Sequence, residues 1–337
     1  MLSERRILMA HGSGGRLSRE LTEEVFLPAF DNAVLRRLDD SAAVWIGQTR
    51  LAFTTDSFVV QPLFFPGGDI GKLAVCGTVN DLAMSGAEPL YLSAAFVIEE
   101  GLPLADLRRV VQSMRDASAE AGVTIVTGDT KVVERGKADG LYVTTAGVGL
   151  LPEPSYLSGA AGRPGDVVLV SGTLGDHGIA VISQREGLAF QTELHSDCAP
   201  LNGLVDVMLR ASSQVHVLRD PTRGGLATAL NEIADQSSVS IQIDERSLPV
   251  RDEVRAACEM LGFDLLYVAN EGKLIALVAA DDAERVLAAM RSHPYGRNAA
   301  LIGRVKPDQP GRVTMRALLG GTRIVGMPAG ELLPRIC

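Results

Sequence analysis

The sequence has few cysteines, no long apolar run and no cluster of basic residues, and each absence excludes a class of protein. No run of roughly 18 apolar residues is present, as a transmembrane helix would need, and Met1 to Arg6 form no apolar signal-peptide segment. The four cysteines lie far apart, without a Cys-x-x-Cys pair or a His-x-x-x-His partner, which argues against zinc. We therefore expect a cytoplasmic protein with reduced cysteines and no membrane contact.

Charge and composition narrow the class further. The net charge is −9, and the 32 basic residues are scattered along the chain. Nucleic acid is therefore not an expected partner, because phosphate-backbone binding requires a basic patch. With 46% hydrophobic and 22% charged residues, the chain is globular, and its 337 residues favour two domains of roughly 150 residues each.

Prolines and glycines between residues 150 and 165 mark the best candidate for a domain boundary. We expect an N-terminal domain over 1–150, a linker over 151–165, a C-terminal domain over 166–322 and a mobile tail over 323–337. Both halves mix helices with strands, which favours two α+β domains over one doubly wound sheet. The patterns predict helices over 70–85, 103–121, 201–212, 225–237 and 282–293. They predict strands over 43–46, 51–55, 89–97, 124–127, 141–148 and 166–171, and a hairpin of two strands, 264–269 and 273–280, joined around 270–272.

Neither common nucleotide-binding loop is present. The segment from Gly67 to Lys72 is one residue too short for a Walker A loop and is followed by leucine, and no Gly-x-Gly-x-x-Gly occurs. Glycine-rich loops nevertheless occur at His11–Gly15, at Phe65–Asp69 and at Arg223–Gly225. Backbone N–H groups in such loops can bind phosphate. The sequence therefore suggests a magnesium–nucleotide site of neither common type.

Acidic residues recur beside Gly, Ser, Thr or Asn at four places, Asp40, Asp56, Asp81 and Asp129. Oxygen ligands of this kind suit Mg²⁺, although each alone is also an ordinary turn or cap carboxylate. Asp81 is the hardest to explain in that way, because it lies in an otherwise apolar helical stretch, where a charge costs free energy unless it is paired or binds metal.

Three further charged residues are candidates for the same site. Arg223 lies in the turn Asp220–Gly225, where its guanidinium could bind phosphate bidentately or could instead form an ion pair at a helix cap. Lys131 and Glu271 each lie beside glycine or turn residues. A side chain there could face a cleft, and it could equally be an ordinary surface charge.

The chain ends on Cys337, a thiol on a segment that contains Gly326, Pro328, Gly330 and Pro334 and cannot hold a helix. A thiolate is a strong nucleophile, so a terminal position suggests a swinging carrier arm. The alternative is an incidental terminal cysteine. Prenylation is excluded, because that modification needs the cysteine fourth from the end.

In combination these segments closely resemble the hydrogenase maturation family HypE, within the superfamily of aminoimidazole ribonucleotide synthetase and selenophosphate synthetase. The resemblance covers nearly the whole chain, and the C-terminal Pro-Arg-Ile-Cys separates HypE from its relatives. The motifs that carry it are His11–Gly15, Thr54–Phe58, Phe64–Gly71, Gly77–Gly86, Gly128–Val132, Gly175–Gly178, Arg219–Leu226, Asn270–Gly272 and Pro334–Cys337.

The resemblance implies two domains of the aminoimidazole ribonucleotide synthetase type, a homodimer formed by the N-terminal domains, and ATP and Mg²⁺ as cofactors. It also implies a reaction. The carbamoyltransferase HypF loads a carbamoyl group onto Cys337, ATP phosphorylates the carbamoyl oxygen, and loss of phosphate leaves a thiocyanate. The cyano group then passes to iron held by a HypC–HypD complex, as a ligand of the [NiFe] hydrogenase centre.

Residue roles follow from the same resemblance. The catalytic residues would be Cys337, Glu271 and Lys131, the last two deprotonating and steering the thiocarboxamide, and the metal ligands would be Asp40, Asp56, Asp81 and Asp129. The nucleotide would lie among His11, Gly12, Gly14, Gly15, Asp56, Gly67, Gly68, Asn80, Asp81, Thr127, Gly128, Asp129, Asp220 and Arg223.

Two other functions remain open at this stage. A kinase-like relative that phosphorylates a small amide or selenide would not need Cys337. A non-catalytic scaffold for iron-centre assembly would use Cys337 to bind metal or a partner and would not turn over ATP.

Overall fold

The computed structural model describes residues 6–152, 157–188, 194–328 and 335–337. In its N-terminal half the helices and strands are α1 Arg16–Leu21, α2 Leu27–Phe30, β1 Ala42–Ile46, β2 Thr49–Phe58, β3 Phe64–Phe65, β4 Gly68–Asp69, α3 Ile70–Met84, β5 Glu88–Glu99, α4 Leu104–Ala121, β6 Thr124–Val133 and β7 Leu141–Leu150. In its C-terminal half they are β8 Val167–Val170, α5 Asp176–Glu186, α6 Asn202–Ala211, β9 Val215–Arg219, α7 Gly225–Gln236, β10 Ser240–Asp244, α8 Asp252–Leu261, β11 Ile275–Val278, α9 Ala283–Ser292, β12 Ala300–Lys306, β13 Val313–Arg316 and β14 Thr322–Ile324.

The N-terminal half is a five-stranded sheet in the order β1-β2-β7-β5-β6. Its strand pairs are antiparallel except β5 with β6, which are parallel and are joined by α4. Helices α3 and α4 pack on one face of this sheet, where Leu73, Val79 and Met114 are buried. The other face carries exposed apolar side chains, among them Phe53 and Tyr91.

The C-terminal half is a seven-stranded mixed sheet in the order β14-β13-β10-β12-β8-β11-β9. Successive residues of β8 point to opposite faces: Val168 and Val170 pack with α7, whereas Val167 and Leu169 pack with α6 and α9. Both faces are therefore covered, which explains why this strand is an uninterrupted apolar run. Among the described residues, no helix is long and apolar enough to cross a bilayer.

The hairpin predicted from strands over 264–269 and 273–280 is wrong, because its first strand does not form. Leu265–Tyr267 form a short 3₁₀ turn, and only Ile275–Val278 form a strand, which pairs with β8 and β9. The residues between them are held by tertiary contacts: the side chain of Asn270 accepts a hydrogen bond from the Gly175 N–H and donates to the Pro221 and Val268 carbonyls. These contacts hold the segment that carries Glu271 at the domain junction.

Candidate functional site

The C-terminal residues lie beside the end of β2, where Ile336 is buried, Cys337 is partly buried and Arg335 is exposed. The Val59 N–H donates to the Cys337 carbonyl at 2.9 Å, and the Gln61 N–H donates to the Arg335 carbonyl at 3.2 Å. The Arg335 side chain pairs with Asp139. Residues 329–334 of the predicted tail lie outside the described residues, so the expected mobility of 323–337 stays a prediction.

Cys337 lines a cavity of about 490 Å³ between the two domains. The first glycine-rich loop and the turn before α7 form other parts of its wall, where the Arg223 guanidinium donates to the Gly12 carbonyl at 2.8 Å. Gly224 also lines the cavity, and in the part of the chain that the structure describes no side chain caps the N-terminus of α7. A helix N-terminus open to a cavity is a site where phosphate can bind.

The remaining loop residues predicted to bind nucleotide take different positions. His11 accepts a hydrogen bond from the Leu8 N–H. Gly14 and Gly15 pack against backbone, since a Cβ on Gly14 would lie 2.8 Å from the Arg223 carbonyl oxygen and a Cβ on Gly15 would lie 2.5 Å from the Pro328 carbonyl oxygen. Their small size therefore brings the N-terminal loop close to the C-terminal domain.

Gly67 and Gly68 lie outside the wall of this cavity. Gly67 has a φ of 91°, and a Cβ there would lie 2.7 Å from the Ser196 backbone. The N-terminus of α3 that follows is occupied by its own cap, because the Asp69 carboxylate accepts hydrogen bonds from the Gly71 and Lys72 N–H groups. This loop therefore packs against the C-terminal domain. The N–H groups of Gly71 and Lys72, where the sequence suggested that phosphate binds, are already bonded to Asp69.

Four acidic side chains gather behind the cavity, Asp40, Asp56, Asp81 and Asp220. Burial raises the pKa of all four, and their mutual repulsion raises the pKa of Asp81 well above its usual range. The pKa of Asp40 rises to about 8 and that of Asp220 to about 6, although Arg219 lies 3.1 Å from Asp40 and opposes both. Ionising the cluster is therefore costly without an added cation.

The donor set of this cluster fits Mg²⁺, which prefers carboxylate oxygens and keeps several waters. Within the described ranges, no three His, Cys, Asp or Glu side chains converge closely enough to form a ready-made metal site. The fit to Mg²⁺ therefore rests on the carboxylate oxygens of Asp40, Asp56 and Asp81 and on the repulsion between their negative charges, which a cation would offset.

Glu271 lies at the junction of the domains and is 3% exposed. No described residue hydrogen-bonds to its Oε1 atom, and burial, followed by the repulsion of neighbouring groups, raises its pKa well above the usual range. Its backbone is fixed on both sides: the N–H donates to Asp197 at 3.1 Å, and the carbonyl accepts from Asn80 at 3.1 Å. A buried carboxyl group with a free oxygen is a strong candidate for proton transfer.

Asn80 has its side chain fully engaged within the protein. Its amide donates to the Ala199 and Glu271 carbonyls, both at 3.1 Å, and accepts from the Leu201 N–H at 2.8 Å. The structure therefore gives Asn80 the role of joining α3 to the C-terminal domain. A direct contact with nucleotide, as the sequence suggested, stays a prediction.

Asp129 and Lys131 lie apart from this site in the single chain. They form an exposed ion pair of 2.9 Å on β6, and this pairing lowers the pKa of Asp129. Register places Asp129 opposite Ala95, on the sheet face away from α3, whereas Gly128 lies opposite the buried Ala94. The exposed Thr127 lies beside them. Two of the predicted catalytic and metal residues therefore face the uncovered side of the sheet.

Sequence reasoning did not assign a role to three buried polar residues near Cys337. His177 contacts the tail, and the Asp197 carboxylate pairs with Lys273 at 3.0 Å beneath Glu271. The Gly175–Gly178 motif contains His177 and the Asn270–Gly272 motif directly precedes Lys273, whereas no motif covers Asp197.

Comparisons with known proteins match both halves of the chain. A family model described as AIR synthase related protein, N-terminal domain, matches residues 38–151, and the corresponding C-terminal domain model matches residues 163–316. The carbamoyl dehydratase HypE of Cupriavidus necator is 57% identical over 98% of this chain and 95% of its own length.

Two solved structures are similar over the same extent. A HypE–HypF complex contains a chain that is 52% identical with a TM-score of 0.87, covering 91% of this chain and 99% of that chain. HypE in complex with ATP is 50% identical with a TM-score of 0.83, covering 98% of this chain and 100% of that chain. These matches confirm the predicted architecture of two α+β domains.

Proposed function

Because the chain belongs to the HypE family of carbamoyl dehydratases, we propose that it uses ATP to dehydrate a carbamoyl group carried on Cys337. The thiocarbamate and ATP give thiocyanate, ADP and phosphate, so that the carbamoyl oxygen leaves on phosphate and both N–H protons are lost. The observation that carries the proposal is the position of Cys337, which lines the cavity together with Arg223, while the Glu271 carboxyl group, whose Oε1 atom accepts no hydrogen bond from a described residue, lies at the same domain junction.

Glu271 supplies the base. A carboxyl group with a raised pKa is a stronger proton acceptor once ionised than an exposed one, and burial of Glu271 excludes competing water. Asn80 and Asp197 hold its backbone, so its position is fixed before the reaction. The negative charges of Cys337, Asp56 and Glu271 all raise the pKa of Arg223, which supports a shared site for these groups.

Arg223 and the open N-terminus of α7 bind phosphate, and Asp40, Asp56 and Asp81 hold Mg²⁺. When bound, magnesium ATP supplies a phosphoryl group that makes the carbamoyl oxygen a good leaving group, with the metal neutralising charge. The described residues contribute by binding and orienting: Arg223 donates to Gly12, which joins the glycine-rich loop to the same wall.

Loading takes place with the tail outside the cavity. Burial, followed by the repulsion of Glu271, Asp56 and Asp220, raises the pKa of the Cys337 thiol although Arg223 opposes it. The inserted thiol is therefore a poor nucleophile, and a reactive thiolate requires solvent. In agreement with the HypE–HypF complex among similar structures, a HypF carbamoyltransferase loads the extruded Cys337, and a HypC–HypD complex accepts the cyano group.

The active form is a homodimer joined through the uncovered sheet face. Register aligns Phe53, Val148 and Tyr91 in one row across β2, β7 and β5 on this face, and Phe53 and Tyr91 are exposed. A contiguous apolar patch on a sheet face marks an interface. Asp129 and Lys131 lie on the same face, so pairing of two copies would bring them towards the partner's site.

Single-turnover phosphate release tests the proposal. Protein carbamoylated on Cys337 should release one phosphate from ATP, whereas the unloaded protein and Cys337→Ser should release little. Equal release by Cys337→Ser would favour a kinase-like function, and no release by any form would favour a scaffold.

A further inference from the structure

His177 is fully buried in the first turn of α5 and contacts the peptide that joins Ile336 to Cys337. Its Nε2 atom lies 2.7 Å from the Ile336 carbonyl oxygen, and its Nδ1 atom lies 2.8 Å from the Ser196 hydroxyl. A carbonyl oxygen can only accept, so Nε2 carries the proton and donates. Nδ1 then accepts from Ser196, which leaves one neutral tautomer of the imidazole.

Phe65 and Ser196 hold the ring in this position. Phe65 packs edge-on against it, with ring centroids 5.4 Å apart. The Ser196 hydroxyl also accepts from the Cys198 N–H at 3.1 Å, and the Ser196 N–H donates to the Pro66 carbonyl at 2.8 Å. Burial lowers the pKa of His177, which agrees with the neutral form. The donor is therefore oriented before the tail enters.

This contact differs from the other bonds to the inserted residues. The Val59 and Gln61 N–H groups bind the Cys337 and Arg335 carbonyls from the side of β2, and the Arg335 side chain binds Asp139 and Gln61. Among the described residues, His177 is the only side chain that binds the backbone of 335–337. The bonded carbonyl belongs to the peptide that ends at the Cys337 nitrogen, so its plane sets the direction in which the thiol projects.

We propose that His177 is a positioning residue that holds the Ile336–Cys337 peptide and so sets both the inserted state of the tail and the placement of the thiol. The proposal rests on the proposed function for its effect on dehydration, but the tail contact itself does not depend on that chemistry. Without the donor, the Ile336 carbonyl would be buried unpaired, which disfavours the inserted tail. The balance between inserted and extruded tail should then shift by roughly tenfold or more.

Two variants separate the hydrogen bond from packing. His177→Phe keeps a planar ring against Phe65 and removes the donor. His177→Gln keeps an N–H donor at about the reach of Nε2. The first readout is the rate at which a water-soluble aromatic disulfide modifies Cys337, with Cys337→Ser giving the background from the other thiols.

We expect His177→Phe to raise the rate about tenfold, and His177→Gln to remain within about threefold of the natural protein. The second readout is single-turnover dehydration of carbamoylated protein, which should fall in His177→Phe and recover in His177→Gln, with ATP affinity and the final extent of carbamoyl loading unchanged.

A thiol in His177→Phe that reacts as slowly as in the natural protein would overturn the proposal, and so would equal rates in the two variants. The thiol-modification experiment needs neither ATP nor a carbamoyl group. If Cys337 accepts no carbamoyl group, the proposed function fails, while the thiol-modification rates still decide the role of His177. Should His177→Phe fold poorly, Ser196→Ala, which removes the group that orients Nδ1, should raise the thiol rate in the same direction, and an unchanged rate would count against the proposal.

Discussion

Ionisation of Asp220 should lower the free energy of unfolding as pH rises, and an added cation should offset this loss. Its folded-state pKa is about 6 against an ordinary 3.8, because burial and the carboxylates of Asp56 and Glu232 oppose its charge more than Arg219 favours it. The folded state therefore holds the proton more tightly than the unfolded state. Stability from this group is fully present below pH 3.8 and is lost as pH rises towards about 6.

The difference of about two units between the folded-state and the ordinary pKa of Asp220 corresponds to at most about 3 kcal/mol of stability, at roughly 1.4 kcal/mol per unit. About 2 kcal/mol of this falls between about pH 4.5 and 7.5 by linkage. Asp220→Asn removes the ionisation, so its free energy of unfolding relative to the natural protein should rise by up to that amount over this interval. Urea unfolding of both proteins at the two pH values measures the change.

Added Mg²⁺ provides the matching control. At the higher pH it should stabilise the natural protein more than Asp220→Asn, because the cation offsets the charge of the cluster. A difference between the two proteins that does not change with pH, or an equal Mg²⁺ effect on both, would refute the account of the cluster.

Three further predictions address the base, the domain junction and the dimer. Glu271→Gln should load a carbamoyl group and bind ATP but fail to dehydrate, and the rate of the natural enzyme should rise with pH as Glu271 ionises, both visible in stopped-flow phosphate release. Asn80→Ala should lower the free energy of unfolding by about 3 kcal/mol, since it removes three buried hydrogen bonds. The control Asn202→Ala removes one bond, to Ala121, and should lower it by about 1 kcal/mol. Equal losses in denaturant titrations would contradict the role of Asn80. Tyr91→Glu should yield monomers in sedimentation velocity, while Val111→Glu, on exposed α4, should not, and identical behaviour of the two would exclude this sheet face as the interface.

The regular elements were predictable where periodicity was strong. Helices α3 and α4 begin and end within about two residues of the expected bounds, because each starts at a cap or a proline and ends at or just before a glycine. The hairpin over 264–280 failed, because apolar residues on both sides of Asn270 suggested strands. The Asp264 side chain, which accepts from the Leu266 N–H, and the hydrogen bonds of the Asn270 side chain hold the first segment as a turn and loop instead.

The site was predictable in its residue types but only partly in its geometry. Asp81 was recognisable as a charge in an apolar helix, and in the structure it is half-buried near the carboxylates of Asp40, Asp56 and Asp220, whose repulsion adds to burial in raising its pKa. Strand register, which the sequence does not specify, places Asp129 and Lys131 on the opposite face of the sheet. His177 could not be assigned from the motif alone, because its role depends on a tail that is 159 residues away in the chain.

Intact mass spectrometry of the natural protein and Cys337→Ser tests the central claim most directly. With HypF and carbamoyl phosphate the natural protein should gain about 43 Da, and on addition of ATP it should lose about 18 Da, as expected for a carbamoyl group that is dehydrated on sulfur. Cys337→Ser should show neither change. A dehydrated mass in Cys337→Ser, or on another cysteine, would contradict the account.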